Sequence, residues 1–185
     1  MYFENIIEEH QAAVVELKNS CINEIQQMAD ICREAVKTDH TIFLCGNGGS
    51  AADCQHIAAE FVGRFVKERR GLPAVAMTTD TSILTAVGND YGFDEVFKRQ
   101  ATALVREGDV LIGISTSGNS KNVLLAMEEA KKNGAKAIAL TGMKESAMSE
   151  AADVAIRVPA PITAHVQECH IMIGHMVCQY VDEVY

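Results

Sequence analysis

The stretch FLCGNGGSAADCQHIAAE, residues 43–60, joins an apolar run to a helical pattern through a glycine-rich turn. The apolar run is typical of a buried strand, and the glycines allow the backbone to come close to a ligand. Free N–H groups in the first turn of the helix that follows favour an anion. This stretch therefore predicts a strand–turn–helix unit with a binding function.

The same order of elements continues from Thr41 to the end of the chain, as short apolar runs alternate with helical patterns. Such alternation predicts an α/β fold with a five-stranded parallel sheet covered by helices on both faces. Ligands then bind at the carboxyl ends of strands, near a reversal in strand order. The predicted strands are Thr41–Cys45, Ala74–Thr78, Val110–Ile114, Ala137–Leu140 and Val154–Val158, and the predicted helices cover about 50–66, 81–87, 93–105, 119–132 and 164–183.

The first 37 residues are a helical segment that precedes this pattern. They contain no glycine or proline, and their apolar residues recur at helical spacing, which predicts one long helix or two. Because the segment lies outside the alternating pattern, we expect it to pack on a partner subunit. The chain has no internal repeat or low-complexity linker, so residues 1–185 are predicted to form one domain.

Composition and charge exclude several classes of function. A formal charge of -9 argues against a nucleic-acid-binding surface, and the one basic cluster, at Lys67, Arg69 and Arg70, is interpreted as a solvated loop. Six cysteines without a C-x-x-C pair indicate reduced thiols packed in the core. With no signal-peptide pattern and no apolar run of membrane-spanning length, we expect a cytoplasmic protein that contacts neither nucleic acid nor membrane.

A second turn, ISTSGNS at residues 114–120, also follows an apolar run and precedes a helix. Serine, threonine and glycine are ordinary turn and N-cap residues, but four hydroxyls in six residues at a second strand end favour phosphate binding. The first turn lacks the G-x-G-x-x-G spacing, and the chain contains no G-x-x-x-x-G-K-[ST]. The pair of turns therefore predicts a phosphorylated small molecule as the ligand.

Two helical segments carry groups that could perform chemistry. His56 and Glu60 are four residues apart on the helix after the first turn, and HVQECHIMIGHMVCQY, residues 165–180, carries Gln167, Glu168, His170 and His175. Imidazole and carboxylate groups can bind a divalent metal such as zinc or act as an acid/base pair. Spacing alone favours a surface ion pair or a core histidine over a functional site, and it does not say whether the two segments meet.

Four motifs give the chain a recognisable resemblance: CGNGGSAADCQHIAAEFVGRF, TTDTSILTAVGNDYGF, GDVLIGISTSGNSKNV and VQECHIMIGH. The chain resembles the sugar-isomerase (SIS) domain family along essentially its whole length. Within that family it resembles the phosphoheptose isomerases, which interconvert sedoheptulose 7-phosphate and D-glycero-D-manno-heptose 7-phosphate. The resemblance implies a single SIS domain with an N-terminal helical extension, and an aldose–ketose isomerase that supplies the heptose precursor of lipopolysaccharide.

The resemblance also implies roles for individual residues. Those lining the substrate site would be Asn47, Gly48, Gly49 and Ser50; those holding the phosphate would be Ser115, Thr116, Ser117 and Ser120; those contacting the sugar would be Asn89 and Asp90. One zinc ion per subunit would lie among His56, Glu60, Gln167 and His175, with Glu60 and Gln167 also contacting substrate. Family members are homotetramers with sites at subunit interfaces.

Glu60 and His175 are the acid/base pair that the resemblance implies for proton transfer between C1 and C2 through an enediol. A carboxylate that ligates zinc is less basic, so either that ligation is loose or His175 carries more of the transfer. The chain departs from the family just before Gln167, where many relatives carry Arg or Asp-Arg and this chain has Ala164, His165 and Val166. That departure bears on a sugar hydroxyl contact or on substrate preference.

Two other functions are compatible with a SIS domain. Some SIS relatives are non-catalytic regulators that bind the bacterial replication initiator and lack the acid/base glutamate, so the presence of Glu60 argues against this alternative. Others sense sugar phosphates within transcription regulators and carry a separate DNA-binding segment. The acidic first 37 residues offer no basic recognition helix, which ranks this alternative last.

Overall fold

The computed structural model describes residues 1–184, which form one five-stranded, all-parallel sheet with helices on both faces. This confirms the predicted α/β class. The strand order is β2-β1-β3-β4-β5, so it reverses between β1 and β3. The strands are β1 (Ile42–Gly46), β2 (Ala74–Ala76), β3 (Val110–Ile114), β4 (Lys136–Gly142) and β5 (Val154–Val158).

The helices follow the predicted order with some changes of boundary. They are α1 (Tyr2–Ser20), α2 (Ile22–Lys37), α3 (Gly49–Val62), α4 (Thr81–Tyr91), α5 (Val96–Leu104), α6 (Lys121–Lys132), α7 (Ala147–Ala151) and α8 (Thr163–Asp182), with a 3₁₀ turn at Phe93–Glu95 before α5. The N-terminal segment is two helices, which divide at Cys21. Helix α4 runs past its predicted end at residue 87 to Gly92, whose φ of +91° ends it. Helix α7 was not predicted, because five residues are too short to show a period.

The core has two apolar layers, one on each face of the sheet. Alternate residues of the central strands point to opposite faces: Ile112 and Leu44 pack with α2, α3 and α8, whereas Phe43 and Leu111 pack with α5 and α6. Every residue of β1 and β3 is buried, as expected for central parallel strands. Because both faces of the sheet are packed, the ends of β1 and β3, from which the two predicted turns leave, are held in place.

All six cysteines are free and buried, which confirms that they are packed as core residues. Burial raises the pKa of both Cys32 and Cys45 to about 12, so neither is a thiolate at neutral pH. No helix in the described part of the chain is long and apolar enough to cross a membrane.

The prediction that the basic cluster is a solvated loop was wrong for Arg69. Its side chain is 1% exposed and pairs with Asp182 of α8 at 2.7 Å. The guanidinium also donates to the carbonyl oxygens of Glu60 (2.9 Å) and Phe61 (2.8 Å). These carbonyl groups lie in the last turn of α3, where no intrahelical N–H is available to them. Arg69 therefore holds the C-terminal end of α3 against α8.

Helix α8 also buries a histidine in the core. His170 is fully buried, and its Nε2–H donates to the carbonyl oxygen of Thr141 at 3.1 Å, whereas Nδ1 has no partner among the described residues. Burial lowers the pKa of His170 to about 4, partly offset by the Thr141 hydrogen bond. The folded protein therefore keeps this imidazole neutral.

We expect His170 to make the protein sensitive to mild acid. Below pH ~6.5 the unfolded chain binds a proton at this side chain that the folded protein refuses until about pH 4, so stability falls across that window by about 3 kcal/mol. Urea unfolding of wild type and His170→Gln from pH 7.5 to 4.5, with the less buried His40→Gln as control, measures this. Parallel curves for wild type and His170→Gln would contradict the prediction.

Candidate active site

The two predicted ligand-binding turns begin side by side. Strands β1 and β3 pair in parallel with Gly46 opposite Ile114, so the turns after them leave the same edge at the strand-order reversal. Gly46 is required by space: a Cβ there would lie 2.9 Å from the Cβ of Ser50 and 3.0 Å from the carbonyl oxygen of Ile114. Gly48, at φ +56°, supplies the backbone conformation that turns the chain into α3.

A reciprocal amide pair fastens one turn to the other. Asn47 Nδ2 donates to Asn122 Oδ1 at 2.9 Å, and Asn122 Nδ2 donates to Asn47 Oδ1 at 2.9 Å. Asn122 is buried in the first turn of α6, and sequence reasoning missed it because one asparagine after a serine-rich turn has no distinctive spacing. The pair orients Asn47 beside the second turn.

The second turn gathers its hydroxyl groups into a cluster. The Ser115 hydroxyl lies 2.9 Å from that of Ser120 and 3.2 Å from that of Ser117. Ser120 is the N-cap residue of α6, yet its hydroxyl makes no cap hydrogen bond, and Thr116 is partly exposed beside it. Three hydroxyls and the start of a 12-residue helix therefore meet at one place, which is the chemistry that an anion requires.

Helix α8 packs closely against α3, and a glycine makes this possible. A Cβ on Gly174 would lie 2.5 Å from Cδ1 of Ile57 and 2.6 Å from its Cγ1. At the other end of the contact, Gly49 faces the side chain of Gln167, whose Cγ would be 3.7 Å from an added Cβ. The two segments that the sequence left apart are thus neighbours in space.

This packing brings three of the predicted metal-site residues together. His175 Nε2 lies 3.0 Å from His56 Nε2, and His56 Nε2 lies 3.2 Å from Glu60 Oε1. Two ring nitrogens at this distance need a proton or a cation between them. Phe65 stacks on the His175 ring with centroids 5.4 Å apart and fixes its plane. The three ligand atoms lie within 4.8 Å of one another.

Gln167 is held by a residue that sequence reasoning missed. Its Nε2 donates to Oδ1 of the buried Asp53 at 2.6 Å, which leaves the amide oxygen available for a ligand. Burial raises the pKa of Asp53, and the hydrogen bond from Gln167 and the charges of His56 and His175 offset part of that rise. Asp53, three residues before His56 and seven before Glu60, shares their helix face, so the spacing itself could have indicated it.

The remaining candidates lie on α3 and α4. Ser50 is buried in the first turn of α3. Asn89 and Asp90 are exposed on α4, where Asn89 Nδ2 donates to Asp90 Oδ1 at 2.8 Å. Helix α4 has no buried residue among those described, so these two side chains face outward from the chain.

The fold and the paired turns define a SIS domain. The family model described as "SIS domain" matches residues 2–142, which is more than half of the chain and includes both turns.

Comparison with individual relatives identifies a narrower family among the SIS domain proteins. The phosphoheptose isomerase of a Nitratiruptor species is 55% identical over 182 residues, 98% of this chain and 97% of that protein. The solved phosphoheptose isomerase GmhA of Neisseria gonorrhoeae has a TM-score of 0.91 at 44% identity and covers 99% of this chain and 100% of its own. The phosphoheptose isomerase structure from Francisella tularensis has a TM-score of 0.94 at 37% identity, covering 98% and 97%. The chain therefore belongs to the phosphoheptose isomerase family, as the resemblance predicted; the roles of its individual residues stay predictions.

The close approach at Gly174 generates a test of how the site is assembled. We expect Gly174→Ala to lower the free energy of unfolding by about 1–3 kcal/mol, because the new methyl group overpacks against Ile57. In the double variant with Ile57→Val, which removes Cδ1, the loss should be less than additive. Urea denaturation measures all four proteins.

Gly88→Ala is the matched control, because an added Cβ there meets its nearest atom at 3.8 Å. That substitution in helix α4 should be neutral or stabilise by up to about 1 kcal/mol. Strict additivity of the Gly174 and Ile57 changes would show that the contact does not set the distance between α3 and α8.

Proposed function

We propose that this chain interconverts D-sedoheptulose 7-phosphate and D-glycero-D-manno-heptose 7-phosphate. One observation carries the proposal: α3 leads directly from a turn that is hydrogen-bonded to the start of α6, beside the serine cluster, to the group formed by His56, Glu60 and His175. A sugar phosphate needs both parts, an anion site for one end and proton-transferring groups for the other. The identity of 55% to a phosphoheptose isomerase over nearly the whole chain supports the choice of a heptose phosphate.

The phosphate end of the substrate would bind at the second turn. The hydroxyls of Ser115, Ser117 and Ser120 would exchange their mutual hydrogen bonds for bonds to phosphate oxygens, and Thr116 would add a fourth hydroxyl. The N-terminus of α6 favours the negative charge. Asn47, Gly48, Gly49 and Ser50 would line the path from this turn to the reacting carbons.

The isomerisation itself requires one proton to move between C1 and C2. Glu60 would remove the carbon-bound proton, and His175 would transfer the hydroxyl proton through the ring nitrogen that a zinc ion leaves free. His56 lies within 3.2 Å of Glu60 and 3.0 Å of His175, so it would hold both groups in position. Phe65 would cover one face of the His175 ring and limit its contact with water.

The donor set fits one zinc ion per subunit. His56 and His175 offer two facing imidazole nitrogens, Glu60 a carboxylate oxygen, and Gln167 the amide oxygen that its hydrogen bond to Asp53 leaves free. When bound there, zinc would supply electrostatic stabilisation to the oxyanion that develops during the reaction. Glu60 and Gln167 would also contact the sugar.

A homotetramer with sites at subunit interfaces would explain the outward-facing candidates. Asn89 and Asp90 lie on α4, whose described residues are all at least partly exposed, and they would contact the sugar bound by another subunit. The N-terminal helix also leaves Phe3 and Ile7 exposed, as expected of a surface covered by another subunit. The product would serve as a heptose precursor for an envelope or surface polysaccharide such as lipopolysaccharide.

Loss of the carboxylate of Glu60 is the most direct test of the proposed function. We expect Glu60→Gln to lower kcat/KM for sedoheptulose 7-phosphate by about 10²–10⁴-fold with the fold intact, because the amide cannot accept the proton. The matched control is Glu68→Gln, an exposed glutamate in the loop after α3, which should retain activity. A folded, zinc-loaded wild type without isomerase activity would refute the proposed substrate; an active Glu60→Gln would refute only the role of Glu60.

Asp53 should act by positioning Gln167. We expect Asp53→Leu to weaken zinc binding and lower kcat/KM by about 10–100-fold, because Gln167 loses the acceptor that orients its amide. Asp53→Asn keeps an acceptor oxygen and should lose less. Zinc affinity by competition with a chelating dye and kcat/KM are the two measurements, and equal values for the two variants would contradict this positioning role.

A further inference from the structure

A second group of metal-ligating side chains lies between α1 and α8, away from the site described above. His10 Nδ1 of α1 lies 2.8 Å from Glu168 Oε2 of α8, and His165 Nδ1 lies 2.9 Å from the same oxygen. The His10 and His165 rings have centroids 5.6 Å apart. Two imidazole nitrogens from different helices thus converge on one carboxylate oxygen.

One ring nitrogen of this group has no hydrogen-bond partner in the part of the chain that the structure describes. His165 hydrogen-bonds to Glu168, but the His10 Nδ1 atom is buried and has no hydrogen-bond partner among the described residues, although it lies 2.8 Å from that oxygen. The His165 side chain is only 5% exposed. A buried ring nitrogen close to a carboxylate but outside hydrogen-bond geometry is suited to a cation that both atoms could ligate.

We propose that His10, His165 and Glu168 bind a divalent transition-metal cation, with zinc as the probe of choice. Two imidazoles and one carboxylate are a typical donor set for such ions. Tetrahedral ligation with bonds of about 2.1 Å separates ligand atoms by about 3.4 Å. Each ring nitrogen would need to move away from the Glu168 oxygen by only about half an ångström, from 2.8 and 2.9 Å.

The surroundings of the group favour a cation. Glu9 Oε2 lies 3.6 Å from His165 Nε2, on the side of the ring opposite the proposed metal. A carboxylate in that position orients a metal-bound imidazole and makes it a stronger ligand. A cavity of about 380 Å³, lined by Glu9, Glu16, His165 and the Pro159–Ile162 segment, borders the group on the side of His165 that faces Glu9.

The consequence of binding would be to clamp α1 onto α8. Among the described residues of α1, only Ala13 and Leu17 are buried, so the helix has a small apolar contact with the rest of the chain. A cation ligated from both helices would add a fixed link one turn from Ala13. The ion would act on the docking of α1, and it need not touch the substrate.

Zinc titration of the chelator-treated full-length protein by calorimetry tests the proposal. We expect His10→Asn and Glu168→Gln each to remove one equivalent of bound zinc relative to wild type. Glu8→Gln, which removes a charge from the exposed face of the same helix, should keep the wild-type stoichiometry. His56→Asn reports separately on the other site, so failure of the zinc proposed there is distinguishable from failure here.

Hydrogen exchange in α1 supplies an independent readout. Zinc should slow exchange of the α1 amides at least tenfold in wild type and Glu8→Gln, and leave it unchanged in His10→Asn. Wild-type stoichiometry in both His10→Asn and Glu168→Gln would overturn the proposal and leave the group as a polar contact between helices. If the two variants lost one equivalent of bound zinc, but zinc left the hydrogen exchange of the α1 amides in wild type unchanged, the proposed link between α1 and α8 would be overturned.

Discussion

The parallel pairing of β1 with β3 is the constraint on which the candidate site depends. It places Gly46 opposite Ile114, so that two turns with similar chemistry leave the sheet next to each other. The space at Gly46 is too small for any side chain. Because glycine has none, α3 can start immediately beside the second turn. The Asn47–Asn122 amide pair then fixes the spacing between the turns. A slip in this register would separate the phosphate end of the site from α3.

Helix α8 supplies the proton-transferring group that the two turns lack. The turns offer hydroxyls, amides and helix N-termini, which can bind an anion but cannot move a proton at neutral pH. His175 and Gln167 come from a helix more than 100 residues later, and they reach α3 because Gly174 allows the two helices to touch. The site is therefore divided between a binding half built by the sheet edge and a reactive half built by helix packing.

The sequence predicted the sheet, its strands and most helices because apolar periodicity is a local property. It also predicted both turns, and the spacing of His56 and Glu60 on one helix face. Spacing alone could not show that α3 meets α8, since that contact depends on a missing side chain at Gly174; only the family resemblance placed residues of both helices at one site. Asn122 and Arg69 were missed for a related reason: each is polar and looks solvated in sequence, but long-range packing buries its side chain and gives it a partner.

The two ends of α8 are held by polar contacts of different kinds, and this has a consequence for the reactive half of the site. At the C-terminal end, Asp182 binds Arg69, which also holds the last carbonyl groups of α3, so both helices share one fastening. At the N-terminal end, His165 and Glu168 bind each other and lie close to Glu9 and His10 of the weakly buried α1. Gln167 lies next to this second fastening. The end of α8 that carries its amide oxygen is thus held to α3 by Asp53 and to α1 by His165 and Glu168.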